Sequence, residues 1–189
     1  MTGLLLAGCT TSQVGTPAAG DRPTATATST ATSTATSTAT PGHRPRDIDM
    51  AGADVCRLVA SLPLATFGLD RSRAPVGGDS ALFPGSRDCF VNGTAANLAL
   101  TLVAVADVGV AEFLDGANVD VDRTEARGYP LYVLTPPTPE SCFGALDVAD
   151  GQLLYVNYGL GSPGAEPATP QATLCERVPG IAAAALDAL

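Results

Sequence analysis

Five cysteines constrain this 189-residue chain more than any other feature, because four of them, Cys56, Cys89, Cys142 and Cys175, lie at spacings of 33, 53 and 33 residues. An even number of cysteines in an exported domain reads as a disulfide framework. The symmetric spacing favours sequential pairing, Cys56 with Cys89 and Cys142 with Cys175, and a nested arrangement, Cys56 with Cys175 and Cys89 with Cys142, is the alternative. No two cysteines have the close spacing of a four-cysteine zinc site. No metal or other cofactor is therefore expected.

The fifth cysteine, Cys9, closes Leu6-Ala7-Gly8-Cys9 behind an apolar run from Leu4. An apolar stretch, two small residues and a cysteine are the pattern of the bacterial lipobox, so residues 1–9 read as the end of a signal peptide with Cys9 as the acylated residue. Only eight residues precede Cys9, none of them charged, so a complete leader would start further upstream. No other segment is apolar enough to span a bilayer.

Residues 10–46 read as a disordered linker. Positions 24–40 hold only Thr, Ala and Ser between Pro23 and Pro41; the alternation resembles a strand but supplies no large side chain to bury. As a flexible coil the linker would span about 35 Å. The single histidine, His43, falls within it.

Residues 47–189 are then one domain, carrying seven Arg against eighteen Asp and Glu, a formal charge of −11. That surface excludes nucleic acid as a partner and would be repelled by anionic lipid headgroups, so membrane attachment must come from the N-terminus. Asp54 to Leu69 is helical in tendency, with Ser61 placed to cap a second turn and Gly68 to end it. Arg71 to Gly85 reads as a loop. Arg87–Asn92, Asn97–Ala106 and Tyr129–Leu134 read as strands, and Val108–Leu114 as a short helix. Phe143–Val148 and Gln152–Tyr158 alternate around Asp150-Gly151, a hairpin signal. Leu174, Cys175, Val178, Ile181, Ala182, Ala185, Leu186 and Leu189 fall on one helical stripe, interrupted by Pro179 and Gly180, where a kink or a fresh helix start is expected. The fold class is α+β: an antiparallel sheet with N- and C-terminal helices packed on one face and two disulfides.

Cys56-Arg57-Leu58 opening a helix, Phe67-Gly68-Leu69, the strand cysteine Cys89, Gly128-Tyr129-Pro130 on a strand, a hairpin led by Cys142, and Cys175 ahead of an Ala/Leu helix resemble the actinobacterial lipoproteins grouped as domain of unknown function 3558. The resemblance covers Val55 to Leu189. It implies an exported lipoprotein of this fold class and carries over no catalytic residue.

With no histidine in the domain, Ser-His-Asp and Cys-His nucleophile systems are excluded within one chain. Asp115, Asp120, Asp122 and Glu125 are the densest carboxylates, but their spacing does not match an EF-hand and reads as a solvated acidic turn. Gly159-Leu160-Gly161-Ser162 lacks the context of a phosphate loop and reads as a flexible loop. Tyr129, Tyr132, Tyr155 and Tyr158 fall on strands, where such rings finish a sheet face or serve a partner surface. The expectation is a cell-envelope lipoprotein at the outer face of the cytoplasmic membrane or in the cell wall. Its domain reads as a non-catalytic binding or accessory module for an envelope protein or small ligand, and a hydrolase using carboxylates alone is the alternative.

Overall fold

The computed structural model describes residues 43–189; Cys9 and all but the last few linker residues lie outside them. Helix α1 (Val55–Ser61) starts where the Asp54 carboxylate accepts a hydrogen bond from the Arg57 amide at 3.0 Å. It stops ahead of Pro63, which forces its predecessor Leu62 into an extended conformation. A 3-10 turn, Leu64–Phe67, follows and closes on Gly68 in the left-handed region at φ +71°. Ser61 does not cap that turn: Pro63 occupies the capping position, and the Ser61 hydroxyl instead donates to the Leu58 carbonyl at 2.6 Å.

Seven strands follow: β1 (Val76–Asp79), β2 (Arg87–Gly93), β3 (Leu98–Val105), β4 (Asp120–Ala126), β5 (Tyr129–Thr135), β6 (Ser141–Ala149) and β7 (Gln152–Leu160). Helix α2 (Val110–Asp115) lies between β3 and β4, and α3 (Gln171–Asp187) after β7. The strands form one sheet in the order β1-β2-β3-β7-β6-β5-β4, every pair antiparallel. Two strands correct the sequence reading. β1 lies within the stretch taken as a loop, and β4 replaces the solvated acidic turn. Both are edge strands with one neighbour each. Neither has a buried apolar face, since β4 is exposed from Asp120 to Glu125, and their pairing comes from β2 and β5 rather than from their own pattern. Arg127 (φ +50°) and Gly128 (φ +80°) make the two-residue turn between β4 and β5, the primed geometry that matches strand twist. Gly159 and Leu160 also belong to β7 rather than to a flexible loop.

α1 and α3 pack on one sheet face over Leu100, Leu102, Leu146, Leu154 and Val156, all buried. α3 contributes Leu174, Val178, Ile181, Ala182, Ala185 and Leu186; Leu189 lies outside the stripe, 38% exposed. Gly144 on β6 makes room for Val178, because a Cβ there would sit 2.6 Å from Val178 Cγ1. Pro179 does not start a new helix. α3 runs through it, and burial of Leu174 and Val178 before it and of Ile181 and Ala182 after it offsets the one hydrogen bond that proline removes.

The cysteines pair sequentially. Cys56–Cys89 joins α1 to β2 and Cys142–Cys175 joins β6 to α3, with Cα separations of 5.1 and 5.0 Å. Each bridge thus fastens one helix of that layer to the sheet. The opposite face is covered in part by α2 and by Phe83, over Val103, Val105, Leu153 and Tyr155. Among the described residues no helix is long and apolar enough to cross a membrane.

Candidate functional site

β7 is nine residues long, so the two ends of the sheet stand about 30 Å apart. At the Gln152 end the chain enters the domain. Arg44 Nη1 donates to Asp147 at 2.6 Å, its Nη2 to Asp150, and its Nε to Asp47 at 3.1 Å. Among the described residues of the span read as linker, Arg44 is thus tied to the sheet end, whereas His43, Pro45 and Arg46 are solvent-exposed as that reading expects.

At the other end two side-chain amides hold the loops. Asn97 is 7% exposed and adopts φ +50°. Its Nδ2 donates to the carbonyls of Ser162 (3.2 Å) and Ala165 (2.8 Å), and its Oδ1 accepts from the Ser162 amide at 2.9 Å. The exposed 161–168 segment is thus pinned by one buried residue. Gln171, in the first turn of α3, points Nε2 at the carbonyls of Pro136 (2.8 Å), Thr138 (3.1 Å) and Ser141 (3.1 Å), which fixes the connection from β5 to β6. Beside it lies a cleft of about 550 Å³ lined by Asn118, Val119, Asp120, Thr135, Pro136, Pro137 and Gln171. Neither amide had a sequence signal. Asn97→Ala is expected to cost about 1–3 kcal/mol, for the loss of its hydrogen bonds to Ser162 and Ala165, and to expose 161–168 to limited proteolysis. Cleavage there at the wild-type rate would show that Asn97 does not hold the loop.

The tyrosines do not form a surface. Tyr129, Tyr155 and Tyr158 are buried, and only Tyr132 is half exposed, with the Arg123 guanidinium 5.8 Å from its ring centroid. Tyr155 packs against Phe83, Phe113 and Phe143, with centroids 5.3–5.8 Å away. Tyr158 donates to the Phe67 carbonyl at 2.7 Å and accepts from Arg177 at 3.0 Å. Burial raises both phenols above the ordinary tyrosine range, against the opposing Arg177 contact in the case of Tyr158. A raised folded value means that these rings contribute stability fully below about pH 10, lost as pH rises through the folded values. Alkaline titration of the Tyr155 and Tyr158 rings, followed at 295 nm against variants with Phe at each position, should show both ionising only with unfolding. Ionisation of Tyr155 and Tyr158 near pH 10 in a folded chain would contradict this.

The carboxylates are dispersed. Along β4, Asp120 and Asp122 share one side and Glu125 takes the other. No group of three or more His, Cys, Asp or Glu among the described residues is placed to hold a metal ion. Asp54 and Asp88 line one small cleft of about 160 Å³, but Asp54 is committed to capping α1. Asp70 is held below the usual carboxylate range by the Thr94 hydroxyl and amide at 2.8 and 3.0 Å, a contact that ties the segment after Gly68 to the end of β2.

No curated protein and no solved structure matches the chain. A family model does, over residues 4–188. Because that match takes in almost the whole sequence, the chain belongs to the family described as protein of unknown function (DUF3558).

Proposed function

We propose that this chain is a cell-envelope lipoprotein, acylated on Cys9 and held at the outer face of the cytoplasmic membrane or in the cell wall. Its domain serves there as a non-catalytic binding or accessory module. The observation that carries the reading is the use of the cysteines: the four in the domain pair with one another in two helix-to-sheet bridges, which leaves Cys9 outside both. Structural disulfides of this kind form and persist outside the reducing cytosol. The remaining cysteine stands in Leu6-Ala7-Gly8-Cys9. Binding is favoured over carboxylate-dependent hydrolysis because Asp54, one of two acids in a shared cleft, caps a helix, and the 550 Å³ cleft holds one carboxylate, Asp120. A glycosidase-type reaction needs two carboxylates flanking the scissile bond.

In cells expressing the chain behind a complete leader, a labelled fatty acid is expected on the wild type and not on Cys9→Ala. Equal labelling of the two would remove the anchor from the reading. A pull-down of the lipidated protein from native envelope should recover a stable partner or ligand. Turnover of an envelope substrate by the purified chain, abolished by one carboxylate substitution, would replace the binding module with an enzyme.

A further inference from the structure

Three properties of the 550 Å³ cleft define what it takes. Its lining includes Asn118, the Thr135 hydroxyl is already engaged 3.5 Å from the Cys175 sulfur, and Asp120 is its one charge. An anionic ligand would therefore lose water against a like charge, whereas an ammonium or guanidinium group finds a partner. Its wall at Pro136 is fixed in advance by Gln171, which lowers the ordering cost of binding. Its mouth leads onto β4, because Asp120 both lines the cleft and begins that strand.

β4 ends the sheet, and no other described strand pairs with its outer side. Residues 120–125 are all exposed, so the outward backbone groups are accessible to an added strand. Two further carboxylates, Asp122 and Glu125, flank one cation, Arg123, whose guanidinium lies over the Tyr132 ring. Charges on an edge guard against indiscriminate pairing. On a domain of charge −11 this acidic edge repels a second copy of itself and selects a basic strand. The sugar alternative is weaker, since no aromatic ring lines the cleft.

We infer that the Asn118–Asp120 cleft and the outer edge of β4 form one docking site for an extended basic peptide segment of a partner protein. A side-chain cation of that segment sits on Asp120, and its backbone adds to β4. The inference rests on the binding-module reading above and names its site.

The test uses the mature full-length chain, isotope-labelled and titrated with four probes: an alternating Lys/Val heptapeptide, the same peptide N-methylated at alternate residues, its Glu/Val counterpart, and an N-acetylated amino-sugar disaccharide. The Lys/Val peptide is expected to shift the backbone amides of 118–125 and 135. N-methylation removes strand hydrogen bonds and keeps the charge, so it should abolish those shifts, as should Glu for Lys. The paired substitution Asp120→Asn, Asp122→Asn, on exposed side chains that leave the circular dichroism unchanged, should weaken the Lys/Val peptide about tenfold. Equal binding by the N-methylated or Glu/Val peptide, shifts confined to another surface, or disaccharide capture in the cleft would each overturn the site. If the envelope pull-down recovers a partner while the Lys/Val peptide leaves 118–125 unmoved, this site falls and the binding module stands. Shifts at 118–125 without any envelope partner would support the site and count against the cellular role.

Discussion

Gly93→Ala is expected to destabilise the domain by about 3 kcal/mol or more, the upper range for overpacking a site that cannot yield. Gly93 ends β2 opposite Leu98, where the segment Gly68 to Asp70 crosses it; the Asp70 amide donates to the Asn92 carbonyl at 2.9 Å. A Cβ at position 93 would overlap the Gly68 carbonyl oxygen and lie 2.9 Å from Leu69 Cα. Every obstructing atom is backbone, so no rotamer change relieves the overlap. The backbone cannot drift away either, because Tyr158 holds the Phe67 carbonyl and Thr94 holds the Asp70 carboxylate. Urea denaturation should show the loss. Gly52→Ala, at an exposed glycine with nothing within 4 Å of the added carbon, should change stability by no more than about 0.5 kcal/mol. If Gly93→Ala were as mild as that control, the crossing of Gly68–Leu69 over β2 would be wrong.

Removing either disulfide should cost about 3–4 kcal/mol, and removing both about 6–8 kcal/mol. The two closed loops have the same sequence separation, 33 residues, so the chain-entropy model gives each bridge the same contribution. A domain of this size has a total stability of about 5–15 kcal/mol, and two such losses, about 6–8 kcal/mol together, reach into the lower half of that range. The paired variants Cys56→Ala/Cys89→Ala and Cys142→Ala/Cys175→Ala are expected to show similar losses in urea, without dependence on reductant at the site removed. Thiol titration of the denatured, unreduced wild-type domain should find none of the four cysteines free. A reactive thiol at any of those positions would refute the framework.

What the sequence determined by itself was whatever local periodicity encodes. The hairpin from Phe143 to Tyr158 was legible because apolar and polar residues alternate on both sides of Asp150-Gly151, and β6 and β7 pair there as expected, with a bulge between Asp147 and Ala149. The α3 stripe was legible because Leu174, Val178, Ile181, Ala182, Ala185 and Leu186 recur at helical spacing. The cysteine spacing favoured the observed pairing and left the nested one open, since spacing constrains loop entropy but not which helix lies over which strand. Tertiary structure decided that, by laying α1 against β2 and α3 against β6.

It also decided the features of the candidate site. β1 and β4 are strands because β2 and β5 supply hydrogen-bond partners, a fact written in the neighbour rather than in Val76-Gly77-Gly78-Asp79 or Asp120–Ala126. Tyr155 and Tyr158 became core residues because Phe83, Phe113 and α3 arrive from distant parts of the chain to cover them. Asn97 acquired its role from a loop 65 residues further on. α3 passes through Pro179 because buried contacts on either side outweigh one missing hydrogen bond. Periodicity reports which face of an element is apolar, and long-range contacts alone report what that face meets.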